Sequence, residues 1–228
     1  MNLQLLSLYE QAILVLAAMV LFTSFALLAQ TRIANLIRLF AWQGILLSAT
    51  TVMVAMVSKQ HHLYISGLLT FVLKALMIPW MLNRLAIRLD IHRKVETTAN
   101  QTVVLLGAAA LVVFCYYVAL PIAQLSAGIT RNVIAISLAV VLLALLLIIT
   151  RRKAISQVVG FMSMENGLFF AAVVSTYGMP MVVELGVAFD VLVAAILFGV
   201  FFFQIRASID SLDVDRLNRL TEAQEVEE

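Results

Sequence analysis

The sequence has few charged residues and almost no cysteine. Of its 228 residues, 12% are Asp, Glu, Lys or Arg, against about 25% in soluble domains. The single cysteine, Cys115, excludes an internal disulfide, a cysteine-rich zinc site and a cysteine-ligated iron–sulfur cluster. A glycine-rich phosphate loop, a haem signature, a nucleophile–base arrangement and a nucleic-acid-binding patch are also missing. The sequence therefore predicts no catalytic, metal or cofactor-binding residues in this chain.

Apolar residues, by contrast, make up 63% of the sequence, and the mean hydropathy is +1.05. A soluble protein this apolar could not cover its core with polar surface, so lipid must be part of its solvent. We therefore predict an all-α integral membrane protein with about seven transmembrane helices. Because residues 1–10 lack a cationic region, we expect the first predicted helix to be retained in the protein and not to be a signal peptide. The predicted helices cover residues 8–29, 37–58, 63–85, 103–122, 132–150, 154–177 and 182–205.

The cationic residues separate strongly between the two sides of such a bundle. Only Lys59 and Arg131 fall on one side, and Lys74 falls inside a helix. Since cytoplasmic loops are rich in Lys and Arg, we predict an N-terminus outside and a C-terminus in the cytoplasm. The other cations, all on the predicted cytoplasmic side, are Arg32, Arg38, Arg84, Arg88, Arg93, Lys94, Arg151, Arg152, Lys153, Arg206, Arg216 and Arg219.

The order of helices and polar segments suggests three regions. Residues 1–131 would form an N-terminal region of four helices, and residues 132–206 a region of three. Residues 207–228 are polar and acidic, and we expect them to form a cytoplasmic tail.

Several ionisable residues lie where a bilayer should surround them. Lys74 lies at the middle of the third predicted helix, Glu165 at the middle of the sixth and Asp190 about two turns into the seventh, with Glu184 nearer its outer end. A charge at the centre of a membrane helix costs roughly 2.5–3.5 kcal/mol on insertion scales. These side chains should therefore face the bundle interior, a partner subunit or a water-filled cavity.

Pro79 lies close to the buried lysine. Proline has no N–H, so it leaves the carbonyl of Ala75 without its helical partner, and we expect a kink there. Buried ionisable groups that sense each other's charge can exchange protons, so Lys74, Glu165, Asp190 and more weakly Glu184 are candidate relay residues. A lysine–carboxylate pair that only holds helices together is the alternative.

The second predicted helix also carries uncharged polar side chains. Gln43, Ser48, Thr50 and Thr51 form a stripe along it, which we attribute to hydrogen bonds that pack helices together.

The last three helices resemble subunits of known membrane complexes. The segment Arg151-Arg152-Lys153, the stretch from Gly160 to Asn166 and the stretch from Val187 to Asp190 resemble the K subunit of complex I (NuoK) and the C subunit of Mrp-type antiporters (MrpC). With Asn166 aligned, the K-subunit glutamate falls at Met162, one turn from Glu165, and Asp190 replaces a glutamate.

The whole chain looks like component E of hydrogenase-4-type complexes (HyfE), which belong to the energy-converting nickel–iron hydrogenases and formate hydrogenlyases. The stretch from His62 to Ile65, Lys74 and the dipeptide Ile78-Pro79 contribute to this resemblance.

This resemblance implies a non-catalytic subunit, without a redox cofactor, in the cytoplasmic membrane of a bacterium or archaeon. Its implied partners are antiporter-like membrane subunits, an ND1-like membrane subunit and a peripheral nickel–iron hydrogenase arm. Its intramembrane charges would contribute to proton or sodium translocation. Two alternatives remain open: a passive assembly subunit of such a complex or of an Mrp-type antiporter, and a free-standing small transporter.

Overall fold

The computed structural model describes residues 8–58, 61–88, 100–121, 128–176, 184–197 and 199–200. Within these residues every element is a helix and no strand is present. The last helix, α8, covers 184–197, and residues 199 and 200 are also helical. The other helices are α1 (Leu8–Ala29), α2 (Ile33–Ser58), α3 (His61–Thr70), a π segment (Phe71–Met77), α4 (Ile78–Arg88), α5 (Gln101–Ala119), α6 (Gly128–Thr150) and α7 (Ala154–Ser175).

Six spans in the described residues are long and apolar enough to cross a bilayer, and they correspond to the first six predicted helices. The first has the predicted bounds, and the second begins at Ile33 and not at residue 37. Arg38 lies in the second turn of α2 with its side chain exposed, where a long cationic side chain can reach the membrane surface. The seventh predicted helix overlaps α8, but its end and the predicted tail lie outside the described residues. The count of seven and the orientation remain predictions.

The third span changes helix type in its middle. The N–H of Ile78 donates to the carbonyl of Leu73, which is the five-residue spacing of a π-helix. Such segments are rare, and they often occur at functional sites. Pro79 follows in the first turn of α4. The irregular part of the helix therefore precedes Pro79 and contains Lys74, and the kink expected at Pro79 stays a prediction.

Two apolar clusters fill the two ends of the bundle. One contains Leu36 and Phe40 of α2 together with Val159 and Met162 of α7. The other contains residues further along the same two helices, among them Leu47, Val54, Phe169 and Val173. Gln43, Glu165 and Asn166 lie between these two sets in the sequence, and all three are buried. The buried polar residues Gln43, Glu165 and Asn166 therefore form a layer at mid-height, the polar layer.

Glycine lets α7 approach α6 closely. A Cβ atom at Gly160 would lie 2.7 Å from Cγ1 of Ile148, and one at Gly167 would lie 2.9 Å from Cγ1 of Val140. Both distances are too short for real carbon–carbon contacts. Small residues of this kind let membrane helices pack backbone to backbone.

Arg151 fastens one end of the bundle. Its Nη2 donates to the carbonyl of Leu28 at 2.6 Å and to that of Gln30 at 2.9 Å, and Nε2 of Gln101 also donates to Leu28. The end of α1 thus meets the start of α5 and the α6–α7 junction. Burial lowers the pKa of the Arg151 guanidinium, but the hydrogen bonds to the carbonyls at the end of α1 stabilise a cation there.

We expect Gly167→Ala to destabilise the protein by about 1–3 kcal/mol, since a methyl group would be forced into the α6–α7 contact. The matched control is Gly107→Ala on α5, where an added Cβ meets no atom within 4 Å. That control should be neutral or stabilising by up to about 1 kcal/mol, because alanine favours helices. Thermal denaturation of the purified protein in detergent measures both changes, and equal melting temperatures would contradict the predicted packing.

Candidate functional site

Lys74 is the centre of the polar layer. Its side chain is 0% exposed, and its Nζ donates hydrogen bonds to Oε2 of Glu165 and, at 2.8 Å, to Oδ1 of Asn166. Oδ1 of Asp190 lies 3.2 Å from the same nitrogen. Three oxygens thus surround an ammonium group that has three N–H donors. The structure brings together Lys74, Glu165 and Asp190, the three residues placed at bilayer depth from the sequence.

The two carboxyl groups have different surroundings. Asp190 is 0% exposed, and neither of its oxygens accepts a well-directed hydrogen bond from the described residues. Glu165 is 8% exposed and accepts a hydrogen bond from Lys74. Glu165 is therefore the better compensated of the two, and it is also the one that reaches a surface of the chain.

The charges of this cluster do not balance. One cation contacts two carboxyl groups, so the cluster is neutral only if it holds one further positive charge, such as a proton. A net charge in an apolar interior is strongly unfavourable, and two neighbouring carboxyl groups titrate as a pair. The arrangement is therefore suited to binding a proton.

Close backbone packing positions Lys74. A Cβ atom at Gly44 of α2 would lie 3.0 Å from both the carbonyl carbon and the Cβ of Lys74, so only glycine fits there without a shift. On the other side, Nζ lies 5.2 Å from the centre of the Phe169 ring, a distance typical of a cation–π contact. Phe169 is packed in turn against Gly186 of α8, where a Cβ would be 2.5 Å from the ring.

A line of uncharged polar groups extends from Lys74 across the bundle. Nδ2 of Asn166 donates to Oε1 of Gln43 at 3.1 Å, and Nε2 of Gln43 donates to Oγ of Ser24 at 2.8 Å. Ser24 donates to the carbonyl of Val20 at 2.9 Å. We call Asn166, Gln43 and Ser24 the amide line.

Sequence reasoning missed this line. It attributed the whole stripe, including Gln43, to helix packing. That interpretation fits Ser48, because Oγ of Ser48 donates to the carbonyl of Gly67 on α3. Thr50 and Thr51 instead donate to carbonyls of their own helix. The available signal was the position of Gln43 and Asn166, each an amide in the middle of an apolar run.

An apolar groove of about 690 Å³ lies between α7 and α8. Glu165 is the one ionisable residue among those that line it. The groove thus gives the cluster its contact with the outside of the chain. The larger apolar side chains along it are Phe161, Leu168, Leu185, Phe189 and Leu192.

Other candidate residues lie outside this cluster. Glu184 is exposed at the start of α8, and within the described part of the chain no ion pair joins it to Lys74. Met162, where the K-subunit glutamate would align, is buried in an apolar cluster. Glu165, one turn further, supplies the carboxylate instead.

Known proteins are similar to this chain over about four fifths of its length. No family model matches it, and no solved structure matches it significantly. The uncharacterized protein Rv0085 of Mycobacterium tuberculosis is 34% identical over 186 residues, which cover 81% of this chain and 84% of that protein. Hydrogenase-4 component E of Escherichia coli is 25% identical over 181 residues, which cover 79% of this chain and 84% of that protein. The component E of Shigella flexneri matches to the same extent.

These relatives confirm the resemblance to hydrogenase-4 component E as a distant homology, whereas the likeness to the complex I and Mrp subunits remains a prediction. The apolar helices and this homology together indicate that the protein crosses the membrane several times. The chain is thus a multi-pass membrane protein that belongs to the family of Rv0085, with hydrogenase-4 component E as a more distant member.

Proposed function

We propose that this protein is a membrane subunit of a hydrogenase-4-type energy-converting complex, and that Lys74, Glu165 and Asp190 form one link in its translocation of protons or sodium ions. The observation that carries the proposal is the contact of one buried lysine with two carboxyl groups. The homology to hydrogenase-4 component E supports the choice of complex.

The charge imbalance suggests how the link works. With both carboxyl groups ionised, the cluster attracts a proton, and the added proton makes it neutral. Asp190, whose oxygens accept no well-directed hydrogen bond from the described residues, is the carboxyl group on which we place that proton at rest. When Glu165 takes up the proton instead, Lys74 shifts its attraction to Asp190, so each carboxyl group senses the state of the other.

Glu165 is the point of exchange with the rest of the complex. It lines the α7–α8 groove, whereas Asp190 is fully enclosed. In the complex, antiporter-like subunits, the ND1-like subunit and the peripheral nickel–iron arm would supply the other links and the redox chemistry. This chain would contribute charges in fixed positions and no redox centre.

We expect Glu165→Gln, Asp190→Asn and Lys74→Met to lower proton translocation per hydrogenase turnover by roughly tenfold or more in the assembled complex. The Gln and Asn variants keep the shape and hydrogen bonding of the side chains but remove the titrating proton. The measurement is dye-detected acidification of inverted membrane vesicles, normalised to hydrogen turnover and to the amount of assembled complex.

Glu184→Gln serves as the matched control, because it removes a carboxylate from the exposed start of α8. It should leave translocation unchanged. Full coupling in all three cluster variants would refute the relay and favour a scaffold subunit, particularly if the variants assemble poorly. Lys74→Met is the variant most prone to this, since removing one partner of a buried pair costs about 3–5 kcal/mol.

Labelling with an apolar carbodiimide tests the different accessibility of the two carboxyl groups. Such reagents partition into lipid and modify protonated carboxyl groups, so they should reach Glu165 through the groove but not the enclosed Asp190. We expect mass spectrometry to find the adduct on Glu165. Glu165→Gln should abolish it, and protection by sodium would identify sodium as the ion. Labelling confined to Asp190 would contradict the proposed exchange point.

A further inference from the structure

The direction of every hydrogen bond in the amide line follows from Lys74. An ammonium group is a donor only, so the atom of Asn166 that faces it must be the amide oxygen. The amide nitrogen of Asn166 then faces Gln43, which must present its own oxygen at 3.1 Å. Because the ammonium group of Lys74 can only donate, the contacts fix the orientation of the Asn166 and Gln43 amides, which could otherwise be flipped.

The far end of the line keeps the same direction. The nitrogen of Gln43 donates to Ser24, whose hydroxyl donates to the carbonyl of Val20. This carbonyl is a pure acceptor, so the line begins at a fixed donor and ends at a fixed acceptor. Every dipole along it therefore has its negative end toward Lys74.

We infer that Asn166, Gln43 and Ser24 are positioning residues that hold Lys74 in its ammonium form while the neighbouring carboxyl groups exchange protons. This inference rests on the proposed function and deepens it. Aligned dipoles of buried hydrogen bonds reinforce one another in a medium of low polarity. If Lys74 lost its charge, its nitrogen would gain a lone pair that can accept a hydrogen bond, so the direction of the line would no longer be fixed.

Side-chain amides do not accept and release protons near neutral pH, so the amide line does not continue the proton route. It is an electrostatic boundary that meets Lys74 at Asn166 and contains neither of the two carboxyl groups. The mobile proton thus stays with Glu165 and Asp190.

Few ionisable groups surround Lys74. Helix α7 contributes Glu165 and α8 contributes Asp190. From helix α2, Gly44 lies against the backbone of Lys74, and Gln43 acts on Lys74 through Asn166. The one ionisable residue of α2, Arg38, is exposed near the N-terminal end of the helix. Changes in the amide line should therefore act on Lys74 without a competing charge from α2.

The pH dependence of proton translocation tests this inference in membranes that contain the whole complex. Replacing Gln43 with Leu removes the acceptor that orients Asn166, so the Asn166 oxygen should stabilise the ammonium group of Lys74 less well. We expect the alkaline limb of the profile to move down by about one pH unit. The shift should be larger for Asn166→Leu and smaller, but in the same direction, for Ser24→Ala.

Two variants of α2 separate orientation from packing. Gln43→Glu keeps an acceptor for Asn166, so the alkaline limb of its pH profile should stay in place or move up. If Gln43 acted only through packing, Gln43→Glu would be as harmful as Gln43→Leu. Thr51→Val is the control for a buried polar residue outside the line, since the hydroxyl of Thr51 donates to the carbonyl of Leu47 in its own helix, and it should leave the profile unchanged.

The inference is overturned if Gln43→Leu leaves the alkaline limb in place, or if Gln43→Leu and Gln43→Glu shift it alike. If the complex with Gln43→Leu fails to assemble, the smaller change Ser24→Ala tests the inference. An unshifted pH profile in Ser24→Ala would also overturn the inference. The proposed function fails separately, if translocation is normal in all three cluster variants, Glu165→Gln, Asp190→Asn and Lys74→Met. Loss of translocation in Lys74→Met with an unshifted Gln43→Leu would remove only the role of the amide line.

Discussion

The structure depends on the pairing of one ammonium group with oxygens from two other helices, at a depth where water is scarce. Lys74 could not remain charged among apolar side chains without Glu165, Asn166 and Asp190 around it. The side chain of Lys74 therefore links the π segment of the third span to α7 and α8. Breaking any of these contacts leaves a charge without compensation, which is far more costly than losing an apolar contact of the same size. The contact therefore fixes both the helix arrangement and the chemistry of the site.

The remaining features can be understood as ways of bringing that contact about. Gly44 removes the side chain that would keep α2 from the backbone of Lys74. Gly160 and Gly167 bring α7 close to α6, and Arg151 holds the ends of α1 and α6 together. Apolar clusters above and below exclude water from the polar layer, so that its electrostatic interactions are strong.

Much of this could be predicted from the sequence, for physical reasons. Apolar runs of sufficient length show where membrane helices lie, because each must satisfy its own backbone in lipid. A charge in such a run must find a partner, so Lys74, Glu165 and Asp190 were identifiable as a group. The π segment and the role of Gly44 could not be predicted, because they depend on how helices distant in sequence approach each other. The amide line was missed because an uncharged amide in a membrane helix is also explained by an ordinary hydrogen bond between packed helices.

The position of the polar layer between two apolar clusters has an electrical consequence. Moving one elementary charge across the whole membrane potential changes its free energy by roughly 2.3 kcal/mol per 100 mV. An ion that reaches the middle of the bundle from either surface crosses about half of that voltage. Each exchange of an ion with this layer would thus be electrogenic, and its occupancy would respond to the energised state of the membrane as well as to pH.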